Sequence, residues 1–303
     1  MALDLLAPVR SLVTSNLQSA FNASTLPGIQ FTDPPGDPGL FGPDSVTWKV
    51  HGHSSGIIGG FSALMLQSLH PLPMAGVAEH SDYQRDPFGR LSRTASFVGA
   101  VTFGSTEVAN AVIAHVNQVH THINGTAPDG RHYSAEDADL LRWVHVAFGV
   151  SILNAHRRYH PFPIRGGDLD RYFDEYAVVA EGLGSTDVPR SRTEVRDYLR
   201  DIRDDLESGA QAKEAMAFLM TPIGDDPVSK GISSLLIQAA VGLLPGWAQK
   251  MHGIHRLPGF DALTVRPAAF SLIQSLALLM GPSPVQAQAR SRALAAPSVV
   301  AIQ

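Results

Sequence analysis

Between Glu136 and Tyr159 the chain sets Leu141, His145, Phe148, Ile152, Ala155 and Tyr159 on one stripe at helical spacing. A stretch of that length and period folds as a helix whose apolar face needs a packed partner. Ser134 in front of it is a suitable N-cap, and Glu136, Asp137 and Asp139 sit where the positive end of the helix dipole favours carboxylates. Similar patterns predict helices over Gly60–Leu69, Leu91–Val101, Ser105 to about Asn124, Leu169–Glu181, Ser191 to about Leu206, and Lys213–Met220. Two apolar stretches, Ile232–Leu244 and Ala268–Met280, read as buried core helices too short to span a bilayer. There is no repeat and no alternation of strands with helices. The expected fold is therefore all-α, one globular helical domain.

The expected organisation has three parts. Residues 1–36 form an amphipathic N-terminal helix and a Pro/Gly-rich arm, 37–282 form the body, and 283–303 form a flexible tail. Met1–Phe21 lacks a basic region followed by a continuous apolar run, so it does not read as a secretory signal. His70-Pro71 is expected to end a helix, because the residue before proline is pushed out of the α region. Gly125–His132 reads as a polar loop.

A net charge of −5 offers no electrostatic footprint for nucleic acid. The chain has no cysteine, which removes disulfides, thiolate ligands, Fe–S clusters and thiol nucleophiles. It fits a cytoplasmic location. The 13 histidines leave imidazole and carboxylate as the available ligands for a metal.

On the Ser105–Asn124 helix, His115 and His120 fall about 140° apart at ~100° per residue, so one metal cannot take both. Such a helix offers one inward imidazole. Arg90, Arg93 and Thr94 share a helical face and could clamp carboxylates or donate hydrogen bonds, or form a solvated basic turn. His145 lies in an apolar stripe, as a core residue or against a cofactor. Gly52-His53-Ser54-Ser55-Gly56 matches a hydrolase nucleophile elbow, and Ser45–Val50 before it could be a strand. The buried strands which that fold needs are scarce, so the run reads as a glycine-rich lead into the Ile57–Leu69 helix. Ser54 is not expected to be a nucleophile.

Several runs, taken in order, resemble the catalytic domain of the MpaB and rubber oxygenase (latex clearing protein) family: Asp37–Trp48, Gly60–Ser81, Asp86–Thr94, Val119–Gly125, Asp129–Ala135, Trp143–His145, Asp170–Gly184, Asp187–Pro189 and Leu243–Ala248. The likeness spans about residues 37–280. It implies a helical fold around one non-covalent haem b, and oxygen chemistry on an apolar substrate. It places the axial ligand on His120 and the distal group on Arg90, Arg93 and Thr94. Arg93 replaces the lysine of rubber oxygenases; an arginine stays protonated and cannot ligate iron.

The resulting expectation is a haem b oxygenase using O2 or peroxide on a small to mid-sized apolar or aromatic substrate. Arg93 and Thr94 stabilise developing negative charge, Arg90 pairs with a propionate or faces the substrate, and Glu79 is a base for an allylic proton. His145, Phe148 and Val116 line the cofactor pocket, while His70 and His80 are structural or support a ligand. No nucleic-acid partner and no transmembrane segment are expected, and a homodimer is compatible. Two other classes stay open: a non-haem iron or zinc enzyme drawing on His80, His120 and His145, and a non-catalytic haem or lipid carrier.

Overall fold

The computed structural model describes residues 30–296 apart from 82–86, 257–258 and 282, with the side chains of 87–91 and 280 also left aside. The expected N-terminal helix over Met1–Phe21 lies outside the described residues. Thirteen α-helices run through the rest: α1 Val46–His51, α2 Gly56–Gln67, α3 Pro71–His80, α4 Pro87–Phe103, α5 Thr106–His120, α6 Ala138–Tyr159, α7 Asp168–Gly182, α8 Arg192–Asp201, α9 Ala210–Leu219, α10 Pro227–Leu243, α11 Gly246–Met251, α12 Arg266–Met280 and α13 Pro284–Leu294. Among the described residues the sheet consists of two short antiparallel strands, β1 Asn124–Thr126 and β2 His132–Ser134. The architecture is all-α.

Helix α2 is the axis of the body, packed between α6 and α10. Its approach to α6 depends on Gly59. A Cβ there would lie 2.9 Å from the Ile152 Cα and 3.1 Å from the Ala155 Cβ. Ile58, Met65 and Leu66 of α2 meet Trp143, Val146, Ile152 and Tyr159 of α6 in one core that also takes in Ile237 of α10 and Ile273 of α12. Several helix starts are closed by local caps. The Ser105 hydroxyl accepts from the Val108 amide, and Ser191 accepts from Glu194. Asp137, rather than Ser134, caps α6 by accepting from Asp139 and Leu140.

The structure departs from the sequence reading in five places. Val46–His51 is a helix, so no strand precedes the Gly52–Gly56 run. Gly125–His132 folds into the β1–β2 hairpin, with Gly125 opposite Tyr133. The helix before His70-Pro71 stops at Gln67, and His70 starts the next: its Nδ1 accepts from the Leu72 amide, and Pro71 opens α3, where its missing N–H costs nothing. The tail carries α13 over Pro284–Leu294. Its Arg292, 2% exposed, donates to the carbonyls of Phe31, Asp37 and Gly104 and so fastens α13 to the N-terminal arm and to the end of α4. Residues 297–303 lie outside the described part.

The fifth departure is α12. A π-turn over Asp261–Val265 continues directly into it. The combined run Asp261–Leu279, 19 residues, is long and apolar enough by length and composition to cross a membrane, and 22% of that stretch is buried. Val265, Ala269, Ile273 and Leu276 face the core, while the opposite side is uncovered.

Candidate functional site

Three groups of side chains gather chemistry that simple helix packing does not need. The first lies where the end of α3 meets the hairpin. Tyr133 projects from β2, and its hydroxyl donates to the Glu79 carboxylate. His80 Nε2 lies 3.2 Å from the same hydroxyl. Gly125 makes room for this contact: a Cβ at that position would stand 2.6 Å from the Tyr133 hydroxyl and 2.9 Å from Glu79 Oε2. Burial, then the bond to Glu79 and its charge, push the Tyr133 phenol up to about 12. Glu79 and His80 remain exposed and Tyr133 is buried, so the group lies at the surface beside a packed apolar cluster that includes Ala75, Ile123 and Leu140.

His120 closes α5 one short turn before β1. It is half-buried, and its Nδ1 is completely enclosed with no hydrogen-bond partner. Burial lowers its pKa below the usual 6.5, with Glu136 opposing the shift. The imidazole is therefore held neutral, the form that ligates a metal. His115 and His122 are exposed, and His122 Nδ1 is already 3.1 Å from the Gln118 carbonyl.

The second group lies deep between α1, α4, α6 and α7. His51 is held at both ring nitrogens, Nε2 2.9 Å from the Tyr172 hydroxyl and Nδ1 3.0 Å from that of Thr102. The Tyr176 ring stands 4.7 Å from His51 and stacks on His145 at 4.6 Å and 19°. Phe148 lies 6.0 Å from both His51 and Tyr176. Burial drives His51 down to about 3, with smaller contributions from His145 and His156, and drives His145 down to about 4. No described residue hydrogen-bonds the His145 ring, which keeps part of its surface uncovered.

The third group is His53, His156 and His160, with His156 stacked on His160 at 4.3 Å and His53 at 4.4 Å from His160. Backbone amides donate to Nδ1 of both His53 and His160. Their neutral rings thus carry the proton on Nε2, which makes those nitrogens donors rather than metal ligands.

The structure brings together some of the sequence-predicted residues. His145 and Phe148 share the deep cluster, and Glu79 meets His80 through Tyr133. Val116 is half-buried on α5. Arg93 and Thr94 are exposed on α4, while the Arg90 side chain lies outside the described residues. His80, His120 and His145 do not form a ligand set: no group of three or more His, Asp or Glu suited to a metal ion occurs among the described residues. Ser54 sits in a turn between two helices, and it is the buried Ser55 that contacts His53 Nδ1, at 3.0 Å. That is not the strand–turn–helix of a nucleophile elbow. The sequence reading missed His51, Tyr172, Tyr176 and Tyr133. The spacing of Tyr172 and Tyr176, one turn apart on α7, was a signal for a shared inner face; the pairing with His51 had none.

The family model described as ER-bound oxygenase mpaB/B'/rubber oxygenase, catalytic domain, matches residues 48–274. The chain belongs to the MpaB/rubber oxygenase catalytic-domain family. No curated protein and no solved structure matches it. Membership in the MpaB/rubber oxygenase family makes the chain an oxygenase-type oxidoreductase. The matched range contains all three groups described above, and it ends within α12, so α13 and its Arg292 fastening lie beyond the family's common part.

Proposed function

We propose that this member of the MpaB/rubber oxygenase family is a haem b-dependent oxygenase acting with O2, or peroxide, on a small to mid-sized apolar or aromatic molecule. The observation that carries the reading is His120: a neutral, half-buried imidazole whose enclosed Nδ1 has no protein partner. A b-type haem needs a single protein ligand of that kind, because the porphyrin supplies the other four. The cysteine-free sequence removes a thiolate ligand, and His120 would be the residue that holds the iron.

When bound, the haem supplies the iron redox chemistry that oxygen activation requires. The chain's own residues do the rest. Exposed Arg93 and Thr94 are reachable hydrogen-bond donors for developing negative charge. A guanidinium offers donors and no lone pair, so Arg93 donates without ligating. Glu79 receives the Tyr133 hydrogen at Oε2; its other oxygen is the one able to take a proton from a substrate. Val116, His145 and Phe148 present apolar and aromatic surface, so selectivity follows shape with few polar anchors. Apolar burial of about 1.5–3 kcal/mol per medium side chain's worth of surface favours uncharged substrates.

A pyridine haemochrome assay and a visible spectrum of the purified protein test this reading. His120→Ala is expected to abolish haem content and Soret absorption, while His115→Ala and His122→Ala leave both in place. Full haem with an unchanged spectrum in His120→Ala would remove the axial assignment.

A further inference from the structure

The outward side of the run from Phe260 through α12 and the turn after α6 both carry protruding apolar side chains. Leu263 is 80% exposed, Phe162 83% and Leu278 84%, with Phe260 and Leu279 also exposed. The two segments are joined: Arg158 pairs with Asp261 at 3.5 Å, and the Gln274 amide donates to the Tyr159 carbonyl at 2.7 Å. Isolated exposed leucines are ordinary on a protein surface; several large apolar side chains protruding from two joined segments mark a contact site.

Charge says what covers it. The chain as a whole carries −5, yet residues 155–167 hold Arg157, Arg158 and Arg165 and no acid. Residues 252–267 add Arg256 and Arg266 against Asp261 alone. Asp261 is taken by Arg158 and Arg256. Arg157, Arg165 and Arg266 are exposed and make no ion pair among the described residues. Cations beside protruding aromatic and aliphatic side chains, on a protein of opposite overall sign, are the pattern that binds an anionic lipid surface.

We infer that this face docks the protein peripherally on an anionic membrane, with Phe162, Phe260 and Leu263 entering the headgroup–acyl boundary and Arg157, Arg165 and Arg266 meeting lipid phosphates. The helix lies on the bilayer rather than crossing it. Crossing would pull Ile273 and Leu276, 0% and 1% exposed, out of the core. The inference goes beyond the proposed oxygenase reading and does not depend on haem: an apolar substrate dissolved in the same bilayer would simply be close at hand.

The test is flotation of the full chain with phosphatidylcholine vesicles, with and without phosphatidylserine. The wild type is expected to float with the serine-containing vesicles and to be released by high salt. Phe162→Ser with Leu263→Ser is expected to weaken binding by at least about tenfold. Replacing Arg157, Arg165 and Arg266 by glutamine is expected to weaken it by roughly fivefold per charge. These positions are exposed, and circular dichroism checks that each variant is folded. The inference is overturned if the wild type stays with the unbound fraction, or if the double variant floats as well as the wild type. It is also overturned if light scattering shows a dimer that the double variant converts to monomer, since the face would then belong to a second copy.

Discussion

The Tyr133 hydroxyl reaches out of the hairpin to donate its hydrogen to the carboxylate of Glu79, 54 residues earlier in the chain. A buried phenol and an exposed carboxylate are therefore joined by one hydrogen bond at the surface of the candidate site. In the folded protein Tyr133 ionises near 12, whereas a free phenol ionises near ~10. Between those values the folded chain keeps a proton that the unfolded chain loses, so this group's contribution to stability declines as pH rises through that window. Glu79→Gln removes the neighbouring charge and is expected to bring the Tyr133 titration down. Tyrosinate absorbance of wild type, Glu79→Gln and Tyr133→Phe over an alkaline titration measures it; an unchanged Tyr133 titration in Glu79→Gln would break the coupling.

The deep histidines oppose acid together with His53, His70 and His156, which burial also lowers. His51 is lowered to about 3 and His145 to about 4, both from a free value near 6.5. As pH falls below that free value, the unfolded chain takes up protons that the folded chain refuses, and stability drops steadily toward pH 4. His145→Phe keeps the stack on Tyr176 and removes the titration. Its melting temperature is expected to fall less steeply with acid than that of the wild type. Parallel curves for the two proteins would assign the acid limit to other groups.

The Arg292 guanidinium serves three separate stretches of backbone: Phe31, Asp37 and Gly104. Arg292→Met leaves those carbonyls without donors. The expected loss is about 2–4 kcal/mol in chemical denaturation. Protease cleavage within residues 30–45 is expected to speed up in parallel. Full stability in this variant would mean that water replaces the guanidinium.

Gly59→Ala pushes a methyl group against backbone as well as side chain of α6. Because a backbone atom cannot swing aside, the two helices must separate, and the expected cost is about 1–3 kcal/mol. Gly60, one residue on, has open space at its Cβ position, so Gly60→Ala is the matched control and is expected to be neutral or slightly stabilising. Equal melting temperatures for the two variants would argue against close packing at Gly59.

The long helices were legible because their signals are local. The α6 stripe, the Ser105 cap and the Ser191 cap each sit within a few residues of what they determine. What escaped depends on distant partners. Val46, Trp48 and Val50 alternate with Thr47 and Lys49, the pattern of a strand, yet the amides of Val46 and Thr47 donate to Glu175, which fixes the start of a helix. The tail read as flexible because its anchoring carbonyls lie more than half the chain away. Of the candidate site, the sequence pointed to Glu79, His120, His145 and Phe148 singly. The links between them, Tyr133 for Glu79 and Tyr176 for His145, are products of tertiary packing.

Glu175 and Tyr172 lie one turn apart on α7, and between them they hold both ends of α1: the carboxylate takes the amides at its start and the phenol takes His51 at its finish. A short helix gripped at two points cannot pivot about either. Any breathing that admits a molecule to the ring cluster must then leave α1 and α7 fixed to each other as one wall. On the other side, α4 is tied to this wall by the Thr102 hydroxyl, 3.0 Å from His51 Nδ1, and by Phe103 packed edge-on against Trp48, so three helices close the ring cluster.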